Sequence, residues 1–163
     1  MAEPDAPDDG APVPASAGVD TSRLTHLVGY AASRASIQLK KTFQKHLGPL
    51  QLKAVEFSIL VLVASNPRLN QKQLGAALDL SAPNLAVILD RLAERRLVER
   101  VRSTVDRRAQ QLHLTPAGRA LTERAETIAA TMESDALRVL SAGERALLIE
   151  LLLKVARGRP PRR

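Results

Sequence analysis

The stretch Asp106-Arg107-Arg108-Ala109-Gln110-Gln111-Leu112-His113-Leu114-Thr115-Pro116-Ala117-Gly118 is compatible with few folds. Gln111 and His113 alternate with Leu112 and Leu114, the period of two expected of a strand with one buried face. Thr115 is placed to cap a helix, and Pro116 then takes the first helical position, where no amide donor is missed. Upstream of the strand, Ser103 to Arg107 reads as a hairpin tip, reached by an outgoing strand from Leu97 to Arg102. Ala109 to Leu114 is the return. Arg107 and Arg108 thus stand at the tip, beside the Asp106 carboxylate that can hold one guanidinium. The plain alternative for Asp106 is a turn residue satisfying backbone amides.

A helix–turn–helix pattern lies just before this hairpin. Asn70 with Gln73 forms a capping box and opens a short helix through Leu78. Asp79-Leu80 is the turn, and Ser81 is expected to cap a second helix, about Ala82 to Arg95, with Pro83 in its first turn. Leu85, Ile88, Leu89 and Leu92 share its inner side, while Ala82, Pro83, Asn84, Val87 and Arg91 share the other. A second helix followed by a basic hairpin is the layout of a winged-helix DNA reader, in which the start of that helix meets base edges. Read alone, it is an ordinary amphipathic helix facing water. The turn, the expected cap and the hairpin in succession favour the DNA reader.

The flanking sequence reads as more helix. One long helix is expected from Asp20 or Thr21 to about Leu47, striped by Leu24, Val28, Ala31, Ala35, Leu39 and Phe43 and stopped by Gly48-Pro49. Another is expected from about Lys53 to Ser65, with Val55, Ile59, Leu60 and Val63 inward. A third starts at Pro116 and reaches roughly Leu140 through Leu121, Ala125, Ile128, Met132, Ala136 and Val139. Ser141 with Glu144 opens a last helix ending at Gly158, with Pro160 and Pro161 beyond. Its Leu147, Leu148, Ile149, Leu151, Leu152, Leu153 and Val155 cover too much circumference for a helix with one wet side. A second copy of the chain is the expected cover, through Leu148, Leu151, Leu152 and Val155 with Leu24 on the first helix. Two-fold symmetry would suit a palindromic DNA site.

Composition narrows the function. A chain of 163 residues with 45% hydrophobic side chains suits one globular domain. Aromatic residues at 2% weigh against modules that stack bases on rings. Without cysteine there is no disulfide, thiolate metal site or thiol-based sensing. The first 20 residues hold five of the 17 acidic side chains and none of the 24 basic ones, so the rest of the chain is strongly basic. That balance points to a polyanion, and nucleic acid fits better than membrane because no helix sets a lysine-rich face opposite bulky aromatics. The longest apolar run, Ile59 to Ala64, is too short to cross a bilayer. With an acidic, proline-rich start in place of a signal peptide, a cytoplasmic protein bound to the nucleoid is expected.

Asp106-x-Arg108, five residues, then Leu114-Thr115-x-x-Gly118 resembles the signature of the MarR family of bacterial transcriptional regulators. The resemblance extends over Thr21 to Gly158. It implies a mainly α, six-helix winged helix–turn–helix domain with a two- to three-stranded β wing, dimerised through its N- and C-terminal helices. The expected division is a disordered acidic, Pro-rich tail at 1–19, a single domain at 20–158 and a basic tail at 159–163. Within the domain, 20–48 and 116–158 supply the dimerisation helices and 52–115 the DNA-binding lobe. Two positions depart from the family pattern. Lys53 stands where Ser or Thr usually caps, so that helix start is weakly specified. Arg96 replaces the Gly common after the recognition helix, so the junction to the wing is expected to differ.

Roles follow for named residues. Lys72, Arg91, Arg100 and Arg102 suit phosphates; Ser81 lies at the helix start; Asn84 suits adenine, and Ala82, Pro83 and Val87 suit thymine methyls. Either Arg107 or Arg108 would enter the minor groove: the family match points to Arg108 and the tip geometry to Arg107. The resemblance also implies a small aromatic or anionic effector that releases DNA, for which His26, Tyr30, Arg34, Phe57 and Arg124 are candidate contacts. No cofactor or metal is expected, since His26, His46 and His113 lie far apart on different elements. No phosphate-binding glycine loop or nucleophile motif suggests an enzyme. The expected function is therefore a sequence-specific repressor; the alternative is a non-specific architectural protein or a winged-helix interaction module.

Overall fold

A computed structural model describes residues 19–102 and 110–158. The leader, the wing tip with Asp106, Arg107 and Arg108, and the basic tail lie outside the described residues. The chain divides into two compact units, one ending at Ile37 and the other beginning at Gln38.

The element order is α1 (Ser22–Thr25), α2 (Val28–Leu47), a 3-10 turn (Gly48–Leu50), α3 (Ala54–Ser65), α4 (Gln71–Leu78), α5 (Ala82–Glu94), β1 (Val98–Arg102), β2 (Gln110–Leu114), α6 (Pro116–Met132) and α7 (Ala142–Arg157). The single long N-terminal helix of the sequence reading is broken at His26-Leu27. Thr25, His26, Val28 and Gly29 all have low helix propensity, and nothing in their spacing bridges the gap. The helix expected to reach Leu140 ends at Met132, and residues 133–139 form successive turns. Ser134 and Asp135, whose side chains compete for backbone hydrogen bonds, follow directly on that end.

α3 is apolar around nearly its whole circumference and forms the centre of the second unit. Ile59 and Leu60 are fully buried, and α6 and β2 pack on this helix. Leu47, Leu52, Leu74, Leu85, Leu89, Leu92 and Leu112 complete the core. Phe43 and Phe57 meet at 6.0 Å between ring centres. The start of α3 is better specified than Lys53 suggests: the Glu56 carboxylate accepts the Lys53 amide at 2.9 Å. Arg95 lies 3.7 Å from that carboxylate and donates to the Gln51 carbonyl at 2.8 Å, tying the end of α5 to the start of α3.

β1 and β2 are antiparallel, with Val98 opposite Leu114 and Arg102 opposite Gln110. Leu112 also donates its amide to the Leu69 carbonyl at 2.9 Å, and Asn70 bridges Gln111, so the segment before α4 extends the sheet. Along β2, Leu112 and Leu114 are buried while Gln110 is exposed and Gln111 and His113 are half-buried, the alternation expected of a half-buried ribbon; β1 buries Val98 and leaves Glu99, Arg100 and Val101 exposed.

At the junction between α5 and the wing, Arg96 stands in the position that glycine ordinarily takes. Arg96 itself adopts the left-handed conformation, with φ 55°. Its amide donates to the Ala93 carbonyl at 2.8 Å and that of Leu97 to Leu92 at 2.9 Å, the pairing that ordinarily ends a helix on glycine. The Thr115 hydroxyl donates to the Arg96 carbonyl at 2.6 Å and accepts the Gly118 amide at 3.0 Å. The Thr115 amide donates to the Leu97 carbonyl at 3.1 Å. A methyl on Gly118 would overlap that same Leu97 carbonyl. The motif Leu114-Thr115-x-x-Gly118 is thus a clasp between the wing base and the end of α5.

Two outcomes are expected in thermal or denaturant unfolding. Gly118→Ala destabilises the fold by about 1–3 kcal/mol through backbone overlap, whereas Arg96→Gly stabilises it by up to about 1 kcal/mol by relieving the left-handed residue.

Candidate nucleic-acid interface

α4, a turn and α5 form the helix–turn–helix. Asn70 caps α4: its side chain accepts the Gln73 amide at 2.9 Å, and Gln73 accepts the Asn70 amide at 3.0 Å. α4 ends on left-handed Asp79, φ 52°, with the Leu80 amide turned back to the Gly75 carbonyl at 2.9 Å. Gly75 is buried beneath that turn.

α5 then begins, with one correction to the sequence reading. The Ser81 side chain makes no capping hydrogen bond. Pro83, in the first turn, has no amide to offer, so one of the two donors a cap normally serves is missing. Leu85, Ile88, Leu89 and Leu92 are buried, whereas Ala82, Pro83, Asn84, Val87 and Arg91 are exposed. The structure therefore gathers those five side chains on an open face. Lys72 is exposed on α4. Among the described residues, neither Lys72 nor Arg91 pairs with a carboxylate.

Arg100 is differently placed. Its Nη2 donates to Oδ1 of Asp90 on α5 at 2.8 Å. The sequence reading missed Asp90, because ten residues and a change of element separate the pair. It also missed the Glu56–Arg95 tie for the same reason. Arg102 ends β1, and the Asp106, Arg107 and Arg108 group lies outside the described residues.

α7 has no buried residue, and Leu147, Leu148, Ile149, Leu151, Leu152, Leu153 and Val155 are all 38–70% exposed. Leu24, in the N-terminal unit, is also exposed. Ser141 caps α7 as expected, donating its hydroxyl to the Glu144 carboxylate at 2.7 Å and its amide at 2.8 Å. Those two donors hold the Glu144 carboxyl below the usual glutamate range.

The effector candidates belong to both units. In the N-terminal unit His26 and Arg34 are exposed and Tyr30 is half-buried; in the other, Phe57 packs on the core and Arg124 is exposed. None of them lines the groove of about 460 Å³ between α2 and the turns after α6, where Lys41, Lys45, His46 and Arg138 gather with Asp135. Nothing in their sequence spacing links residues 41–46 to residue 138. Among the described residues no cluster of His, Asp and Glu is suited to a metal ion, and no single helix is long and apolar enough to cross a membrane.

These elements define a winged helix–turn–helix protein. A MarR family model matches residues 50–109. A Thauera aromatica protein assigned to regulation of the hcr operon is 34% identical over 101 residues, which cover 62% of this chain and 61% of that one. The transcriptional repressor CouR, solved with a 23-mer DNA duplex, superposes with a TM-score of 0.80 at 35% identity, over 85% of this chain and 98% of CouR. CouR bound to p-coumaroyl-CoA gives 0.79 at 33% identity, over 86% and 99%. The chain belongs to the MarR family of transcriptional regulators, and is a regulator rather than an enzyme.

The Ser141–Glu144 contacts carry a pH signature. Because the Glu144 carboxyl is depressed below its ordinary 4.5, its support of α7 is complete above that value and is lost as pH falls through the depressed one. Wild-type helix content, followed by circular dichroism from pH 6 to pH 3, should fall more steeply than that of Glu144→Gln, which has no carboxylate to protonate.

Proposed function

We propose that the protein is a homodimeric, sequence-specific repressor that binds a palindromic operator and is released by a small aromatic or anionic molecule. The observation that carries this reading is the open face of α5, where Ala82, Pro83, Asn84, Val87 and Arg91 stand clear of the core next to the wing. Asn84 is suited to a bidentate contact with adenine, which discriminates by about 1–3 kcal/mol. Ala82, Pro83 and Val87 offer apolar contact to thymine methyls, and Ser81 lies at the phosphate end of the helix. Lys72, Arg91, Arg100 and Arg102 supply charge along the backbone. Arg107 or Arg108, steadied by Asp106, enters the minor groove.

In this reading residues 52–115 form the DNA-binding lobe, and 20–48 with 116–158 supply the dimer helices. The exposed aliphatic surface of α7 supports pairing with a second copy through Leu148, Leu151, Leu152 and Val155. Leu24 adds to the dimer contact from the N-terminal unit. Acting on DNA places the protein on the bacterial nucleoid, in the cytoplasm.

CouR binds p-coumaroyl-CoA, a ligand both aromatic and anionic, and we take the effector here to share that character. His26, Tyr30, Arg34, Phe57 and Arg124 are its proposed contacts. The basic groove at Lys41, Lys45 and Arg138 adds a surface suited to its negative charge. Release requires that the effector prefer the conformation unable to bind the operator, since equal affinity for both shifts nothing. Arg34→Ala should blunt effector-induced release while leaving operator affinity unchanged.

Selection of bound genomic fragments, followed by titration at fixed salt, tests the reading. The operator should bind at least ~10³-fold more tightly than random duplex; similar affinities would indicate an architectural protein instead. Joint replacement of Arg107 and Arg108 by alanine should weaken operator binding more than tenfold. Leu151→Glu with Leu152→Glu should yield a monomer in sedimentation and abolish operator binding.

A further inference from the structure

Asp90 stands out because it is a carboxylate beside a surface suited to phosphates. It precedes Arg91 on α5, and its partner Arg100 lies on β1, opposite Leu112. The two side chains meet at 2.8 Å with Arg100 34% and Asp90 58% exposed. Among the described residues this is the one ion pair joining the recognition helix to the wing; the other, Arg95 with Glu56, ties α5 to α3.

A strongly basic regulator faces a particular difficulty. Each additional phosphate contact tightens binding to any duplex, whereas only base contacts discriminate. On random DNA the complex is free to slide and tilt until every available cation finds a phosphate. On the operator, base contacts under α5 fix its seating, so a further mobile cation has little room to improve it. A restrained cation therefore penalises random complexes more than the cognate one.

We infer that Asp90 is a specificity-determining residue that acts by holding Arg100. The carboxylate occupies one arm of the guanidinium and offsets part of its charge, so that Arg100 adds less than an unpaired cation would to binding DNA regardless of sequence. The inference rests on the DNA-binding reading above, and it assigns Arg100 a restrained role within the phosphate-facing group.

Asp90→Asn removes the charge with little change of shape. Affinity should be measured from 100 to 400 mM KCl for the selected operator fragment and for a scrambled duplex of equal length. For the scrambled duplex, Asp90→Asn should bind at least threefold more tightly, and the slope of log affinity against log salt should steepen by about 0.9, one phosphate's worth. Operator affinity should change less than twofold, so the preference falls. In an Arg100→Gln background the same Asp90→Asn change should have little effect, since the gain runs through Arg100. Unchanged scrambled-duplex binding, an equal gain on both duplexes, or a gain that persists without Arg100 would each overturn the inference alone. A wild-type protein with no operator preference would overturn the repressor reading and this inference together.

Discussion

The close approach of the Leu97 carbonyl to Thr115 and Gly118 is the constraint on which the DNA-facing side depends. Leu97 follows α5 directly, and Thr115 both ends β2 and starts α6. Drawing these points together joins three things: the exit of α5, the base of the wing and the helix leading toward the C-terminus. The contact is made by backbone atoms and one hydroxyl, so its geometry has little freedom. It also explains why left-handed Arg96 is tolerated. The clasp holds the Arg96 carbonyl from outside, and the surrounding structure over-determines a conformation that an isolated arginine would avoid.

A second tie joins the end of α5 to the start of α3. Glu56 is buried and accepts the amide of Lys53, the residue that precedes α3, while Arg95 reaches from beyond α5 to the same carboxylate and to the carbonyls at Leu50 and Gln51. Replacing one partner would leave a buried carboxylate under-satisfied, which is the costly direction. Between the clasp and this tie, α5 is held at its C-terminal end, and its N-terminal turn is left comparatively free. Ser81 makes no cap bond there and Pro83 has no amide. Rigidity at one end and unsatisfied backbone at the other is a sensible division for a helix whose first turn is proposed to meet DNA.

Much of this was legible in the chain. The apolar spacing of α5 separates Leu85, Ile88, Leu89 and Leu92 from Asn84, Val87 and Arg91, and the structure divides them in the same way. The caps at Asn70, Thr115 and Ser141 were readable because each is local, a side chain serving an amide three residues on. What was hidden depends on distance or on competition. Asp90 with Arg100, and Glu56 with Arg95, join residues on different elements, and no periodicity reports them. The break at His26-Leu27 and the early end of α6 arise where weak helix formers outweigh an apolar stripe that continues past them. Thr115 is legible as a cap, but its second bond, to Arg96, and the close approach of Gly118 to Leu97 join residues about twenty positions apart on different elements.

The exposed aliphatic face of α7 has a consequence for dosage. In the proposed dimer that surface is covered only when two chains meet, which makes the paired form scarcer at low protein levels. The population competent for a two-fold site then rises as roughly the square of the protomer concentration, until pairing saturates. Occupancy of a promoter would accordingly switch over a narrower span of expression than a lone reading head allows. If α7 is the pairing surface proposed above, the greasy side of one terminal helix would set the threshold at which the gene under control begins to sense how much regulator is present.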